Sequence, residues 1–118
     1  MNGVLLLFGF DLLPKILLIH GVMVRLGIKV LVVPRKDYMV SMENLLAGEH
    51  GDYDGGSLGG RMIVLCDVAP LDEALDALRS AGIGPDCLKA VLTEHNRKWT
   101  ARQLYAELLR ERKEVTGK

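Results

Sequence analysis

Val4-Leu5-Leu6-Leu7-Phe8-Gly9-Phe10 and, much later, Met62-Ile63-Val64-Leu65-Cys66-Asp67-Val68 are the two stretches on which the fold turns. Neither alternates apolar with polar residues, as a strand with one wet face does. A nearly unbroken apolar run of this length fits a strand covered on both faces. Helix signals follow each run. After the first, Asp11 is read as a helix cap, Pro14 is tolerable in a first turn, and the helix runs to about Leu26 with Gly27 as its left-handed stop. A short strand, 29–33, is then closed by Pro34. After the second run, Pro70 opens a helix whose first turn carries Asp72 and Glu73. Leu71, Leu75 and Leu78 make its apolar stripe and Gly82 ends it. Residues 88–93 read as a fourth strand, with Lys89 marking a sheet edge.

The halves echo each other: Leu26-Gly27-Ile28 answers to Ala81-Gly82-Ile83, and Phe10-Asp11 to Val68-Ala69-Pro70. The expectation is one α/β domain over 1–118, built of two βαβ repeats at about 3–35 and 61–94. A connecting helix near 39–47 and a glycine-rich loop fill residues 36–60. A C-terminal helix, 100–115, starts at the capping box Thr100-Ala-Arg-Gln103 and turns Leu104, Tyr105, Leu108 and Leu109 to the core. Strict β-α-β-α-β-α-β-α alternation favours a mainly parallel four-stranded sheet with helices on both faces. The alternative is a ferredoxin-like split βαβ sheet, with the helix and loop inserted between strands 2 and 3. The early stop at Pro34, with a helix after it, tilts the reading toward the parallel sheet. Five glycines between His50 and Gly60 make the loop read as flexible, with little to pack.

At 118 residues and 49% hydrophobic content the chain can build one real core, burying roughly two thirds of its unfolded surface. A formal net charge of zero removes the global pull expected of a dedicated nucleic-acid binder. The basic run Arg97, Lys98, Arg102, Arg110, Arg112 and Lys113 could meet phosphates, but interleaved Glu107, Glu111 and Glu114 make helix ion pairs the preferred use. Two cysteines, a start without a positive n-region and no long apolar helix give the expectation of a cytoplasmic chain with free thiols and no membrane span.

The first helix is unusual. Ile16, Leu17, Leu18, Ile19, Val22, Met23, Val24 and Leu26 surround it, interrupted only by His20 and Gly21. A helix apolar all round needs cover on more than one side, and in a small domain a second copy can supply it. A homodimer, or another homo-oligomer, is the resulting expectation.

A parallel sheet would bring the ends of strands 1, 3 and 4 to one rim, gathering Phe10, Asp11, Asp67, Thr93, His95, Asn96, Arg97 and Trp99. Acid, imidazole, guanidinium and amide together suit a small anion or a peptide carboxylate. The plainer alternative makes Asn96 a turn former, Arg97 a solvated charge and Trp99 a packing residue. Cys66 could serve as a nucleophile with His95 as its base, although its apolar setting points to a core position. Cys66, Cys87, His20, His50 and His95 lack any metal-ligand spacing, and no phosphate-binding glycine motif follows a strand, so neither metal nor cofactor is expected.

The second half resembles a small bacterial family known as domain of unknown function 3783. The likeness is carried by Met62-Ile-Val-Leu-Cys66, Leu75-Asp-Ala-Leu-Arg79-Ser-Ala-Gly-Ile83, Leu88-Lys-Ala-Val-Leu-Thr93, Asn96, Trp99 and Leu104-Tyr-Ala-Glu-Leu108. It is clear over 60–114 and weak in the first half. In the family Gly-Phe follows the cysteine, where Asp67-Val68 stand here, and Thr precedes the Asn, where His95 stands. The resemblance implies a bacterial cytosolic protein and names no reaction. The leading expectation is a noncatalytic interaction or regulatory domain that self-associates and binds a small ligand or protein near Thr93–Trp99. Its rivals are a small enzyme using Cys66 or His95 and a weak nucleic-acid binder.

Overall fold

Both apolar runs are central strands. The computed structural model describes residues 3–116, with side chains in the last helix as far as 112. The elements are β1 Val4–Phe8, α1 Leu13–Arg25, β2 Lys29–Val33, a 3-10 turn Arg35–Asp37, α2 Met42–Leu46, β3 Met62–Cys66, α3 Leu71–Ser80, β4 Leu88–Val91 and α4 Ala101–Thr116. β3 is buried at every residue and β1 at every residue but its first, which accounts for the missing alternation.

The sheet order is β2-β1-β3-β4, and the sheet is mixed. β1 pairs parallel with β2 and β3 parallel with β4, but the central pair β1 and β3 is antiparallel, with Leu6 opposite Val64. This corrects the mainly parallel sheet, and the adjacent parallel pairs equally exclude the split arrangement. The reason lies in the connection. A five-residue α2 spans about 7.5 Å against strands of about 17 Å, and the loop after it is tied back to the turn following β2, where Tyr53 N donates to Lys36 O and Gly51 N to Asp37. The chain therefore re-enters at the end where it left β2, placing Met62 beside Phe8.

An antiparallel centre flanked by parallel partners gives the fold an approximate two-fold axis between Leu6 and Val64. Even-numbered Leu6, Phe8, Met62, Val64 and Cys66 face α2 and α4, meeting Met42, Leu45, Ala101, Leu104 and Tyr105. Odd-numbered Leu5, Leu7, Ile63 and Leu65 face α1 and α3, meeting Ile19, Met23, Ala74 and Leu78. The symmetry includes the connections. Ser41 and Thr100 face each other in an antiparallel bridge, and each caps its helix: Ser41 Oγ accepts from Asn44 N, and Thr100 Oγ1 from Gln103 N. Gln103 Oε1 in turn accepts from Thr100 N at 2.9 Å, completing the capping box read from the sequence. Each repeat is thus β-α-β-turn-α, and the helix assigned to the connection is the two-fold counterpart of α4.

Three local expectations change. Leu12, not Asp11, is the residue before α1, and it makes no side-chain cap. Leu109 is 43% exposed, because the stripe of α4 that meets the sheet runs through Ala101, Leu104 and Tyr105. The glycine-rich loop is packed: Tyr53 and Leu58 join the core, Tyr53 N donates to Lys36 O, and Arg102 reaches the Gly56 and Ser57 carbonyls from above the Tyr53 ring. The two large side chains among the glycines supply the buried area that the glycines lack.

Candidate functional site

The antiparallel centre divides the expected cluster. β1 and β2 end at one rim, which receives Phe10 and Asp11. β3 and β4 end at the opposite rim, which receives Asp67, Thr93, His95, Asn96, Arg97 and Trp99. No single site contains all eight.

At the second rim the side chains mostly hold a turn. Asn96 Oδ1 accepts from Thr93 N at 2.9 Å, its Nδ2 donates to Val91 O, and Thr93 Oγ1 accepts from Asn96 N. Arg97 lies 3.5 Å from both Glu43 and Glu94, while Glu43 N and Met42 N donate to the Arg97 and Trp99 carbonyls. The turn is thereby tied to α2. His95 stacks edge-on against Trp99 at 5.1 Å, over a cleft of about 250 Å³ that also meets Glu107 and Glu111.

The first rim is more open. A cleft of about 630 Å³ lies past the ends of β1 and β2, between the β1–α1 turn, the 3-10 turn and the strand-leading Gly60-Arg61. Buried Tyr38 forms part of its wall. The Tyr38 hydroxyl accepts from Gly9 N at 3.1 Å, its ring tilts against Phe8, and burial pushes its pKa up. Gly9 is required here, since its φ is +80° and a Cβ would stand 2.6 Å from Gly60 O. Its two-fold counterpart is Asp67, a non-glycine at φ 55°. The Arg61 guanidinium sits 5.3 Å over the Phe10 ring and donates to exposed Asp86 at 3.0 Å, and that contact holds the Asp86 carboxyl below its ordinary range. Arg35 is exposed and has no ion pair among the described residues. Sequence reasoning missed Arg35, Tyr38 and Arg61. The only signal was an arginine beside each of two strand ends, which looks like ordinary surface charge.

Cys66 is a core residue. It is 2% exposed, and burial, with Asp67 adding to it, pushes the thiol up to about 12. Cys87 is buried as well, and its thiol is likewise raised by burial. A second missed group is the buried Asp37, whose carboxylate accepts from Gly51 N at 2.8 Å and from His50 Nδ1 at 3.0 Å. Burial pushes its pKa up, but the Gly51 amide, His50 and Lys36 outweigh that and leave it below the ordinary value. Among the described residues no three His, Cys, Asp or Glu are placed to share a metal ion, and no helix is long and apolar enough to cross a membrane. Of the basic residues near the end, Arg102 holds the loop, Arg110 pairs with Glu107 and Arg112 donates to Pro85 O. The Lys113 and Glu114 side chains lie outside the described residues.

Residues 61–115 match the family described as Domain of unknown function (DUF3783). The match covers a little under half of the chain and shows what its second half is similar to. No curated protein and no solved structure matches the chain. The DUF3783 segment begins one residue before β3 and ends within α4, so it is one of the two repeats and half of the sheet. The first half lies outside the match yet repeats the same order of elements. It also has Gly9-Phe10 at the place related to Asp67-Val68.

Proposed function

We propose that this chain is a noncatalytic interaction domain of the reducing cytosol that associates with a second copy of itself through α1. The observation that carries the reading is the distribution of exposed apolar side chains. Of nine large hydrophobic residues exposed among the described ones, five lie between Leu12 and Val24. Leu13, Leu17 and Val24 are each more than half exposed and share one helical stripe with Gly21. The related helix α3 presents Asp72, Glu73, Asp76 and Arg79 to solvent instead, so the exposed apolar face belongs to the first repeat alone.

The occupant follows from chemistry. A stripe without charge needs an apolar partner, and the richest such surface on the described chain is the stripe itself, which two-fold pairing makes self-complementary. Gly21 fits this use. In mid-helix it costs about 1 kcal/mol relative to alanine. Nothing lies within 4 Å of where its Cβ would be, leaving room for a second helix to cross closely. The buried free thiols suit a reducing compartment.

Sedimentation equilibrium tests the proposal. Wild type is expected to be dimeric at micromolar concentration, Leu17→Glu monomeric with an unchanged circular dichroism spectrum, and Gly21→Ala weakened in association. A strictly monomeric wild type, or a Leu17→Glu dimer as tight as wild type, overturns it.

A further inference from the structure

The cleft past β1 and β2 is distinct from the α1 stripe, and its walls differ in chemistry. Val32 and Pro34 form an apolar side, and Phe10 lies under the Arg61 guanidinium. Arg35 also lines the cleft, with no ion pair among the described residues, and Asp11 is the acid among the lining residues. We propose that this cleft binds a small organic anion, a carboxylate or phosphate ester whose charged end is held by Arg35 and Arg61 and whose apolar body rests on Val32 and Pro34.

Three observations converge on this. The cleft has the volume of a small-molecule site and lies outside the carboxyl ends of an adjacent parallel strand pair, where α/β sheets place ligands. Two guanidiniums at one mouth supply forked donors that match carboxylate or phosphate oxygens. The two-fold axis provides an internal comparison. At the opposite rim the positions related to Gly9 and Arg35 are Asp67 and Glu94, so the same backbone geometry there carries negative charge and disfavours an anion. Arg61 is already fixed, by the Phe10 ring on one side and Asp86 on the other. That pair is exposed on the Asp86 side, so the guanidinium can turn donors toward a ligand without losing a buried partner. Asp11 offers an acceptor to a hydroxyl or amine on the ligand.

Amide-resolved NMR titration of the full chain tests the assignment, with phenyl phosphate and benzoate as probes, inorganic phosphate as the charge alone and phenol as the neutral body. Phenyl phosphate or benzoate is expected to shift the amides of Gly9, Phe10, Arg35, Gly60 and Arg61 and to saturate at a dissociation constant of about 1 mM or tighter. Inorganic phosphate and phenol should bind more weakly. Which anion binds more tightly separates a phosphate from a carboxylate preference. Arg35→Gln, at an exposed position that leaves the fold intact, should weaken the better probe about tenfold, the expected cost of one charge-assisted contact. Arg61→Gln serves as the second variant, and unchanged thermal unfolding confirms that it is folded. The proposal fails if neither anion shifts these amides, if shifts scatter equally over Arg97 and Arg102, or if Arg35→Gln leaves the affinity unchanged. Because the readout is local to this rim, it stands or falls independently of whether the protein dimerises through α1.

Discussion

Replacing Asp37 by asparagine should cost the protein stability in a pH-dependent way. Asp37 is 2% exposed and its carboxylate receives two hydrogen bonds, from Gly51 N at 2.8 Å and His50 Nδ1 at 3.0 Å. Asparagine keeps one acceptor oxygen, which can serve Gly51 N, but places an NH2 donor where Oδ2 faces His50 Nδ1, so the charge and one acceptor are lost. For the amide contact that is the difference between a charge-assisted and a neutral bond, about 1 kcal/mol. For the histidine it is about 0.5 kcal/mol or less, since His50 is 66% exposed and well screened. The expected loss near neutral pH is therefore about 1–1.5 kcal/mol. Asp37→Ala should lose about twice that, because Gly51 N is left without its acceptor. The sign of the pH effect follows from linkage. Burial raises the Asp37 pKa, its hydrogen bonds and neighbouring cations lower it by more, and the folded value lies below that of the unfolded chain. Its stabilisation is thus fully present above the unfolded value of about 3.9 and disappears as pH falls through the folded one. Urea unfolding of wild type and Asp37→Asn between pH 7 and pH 2.5 measures the difference. A penalty that persists unchanged to the lowest pH, or grows there, would refute the reasoning. The carboxylate also anchors the glycine-rich loop, which reaches the anion cleft at Ser57 and Gly60, so the same variant should loosen one wall of that cleft.

Thr100→Ala removes one half of the reciprocal cap with Gln103 and should destabilise the protein by about 1 kcal/mol in denaturant unfolding, with Gln103→Ala not fully additive to it. Cys66, with its thiol pushed up to about 12, should resist iodoacetamide in the folded protein near neutral pH and react at the rate of unfolding; rapid labelling of native protein would reopen the case for a nucleophile.

Much of the element plan was legible because it depends on neighbours along the chain. Pro34 ends β2, Gly27 and Gly82 follow α1 and α3 at φ 74° and 89°, and Thr100 and Gln103 cap α4, all through interactions spanning a few residues. The eight-residue cluster was less legible. Its members were assigned to one rim on the assumption that β3 runs parallel to β1. Once that direction reverses, Phe10 and Asp11 separate from the Thr93–Trp99 turn, and their place is taken by Arg35, Tyr38 and Arg61. Tyr38 and Arg61 carry no local signature, since each gains its role from a partner distant in sequence: Gly9 for Tyr38, Phe10 and Asp86 for Arg61.

The apolar runs at 4–10 and 62–68 were enough to establish two doubly covered strands and a repeated strand-helix-strand plan, because burial on both faces leaves its mark directly on composition. Strand direction leaves no such mark. An interior strand reads the same whether its neighbour runs with it or against it, and here the outcome depends on how far a five-residue helix and a packed loop carry the chain before it rejoins the sheet. Folding in three dimensions therefore set the antiparallel centre, the two-fold relation between the halves and the choice of which charges meet at each rim.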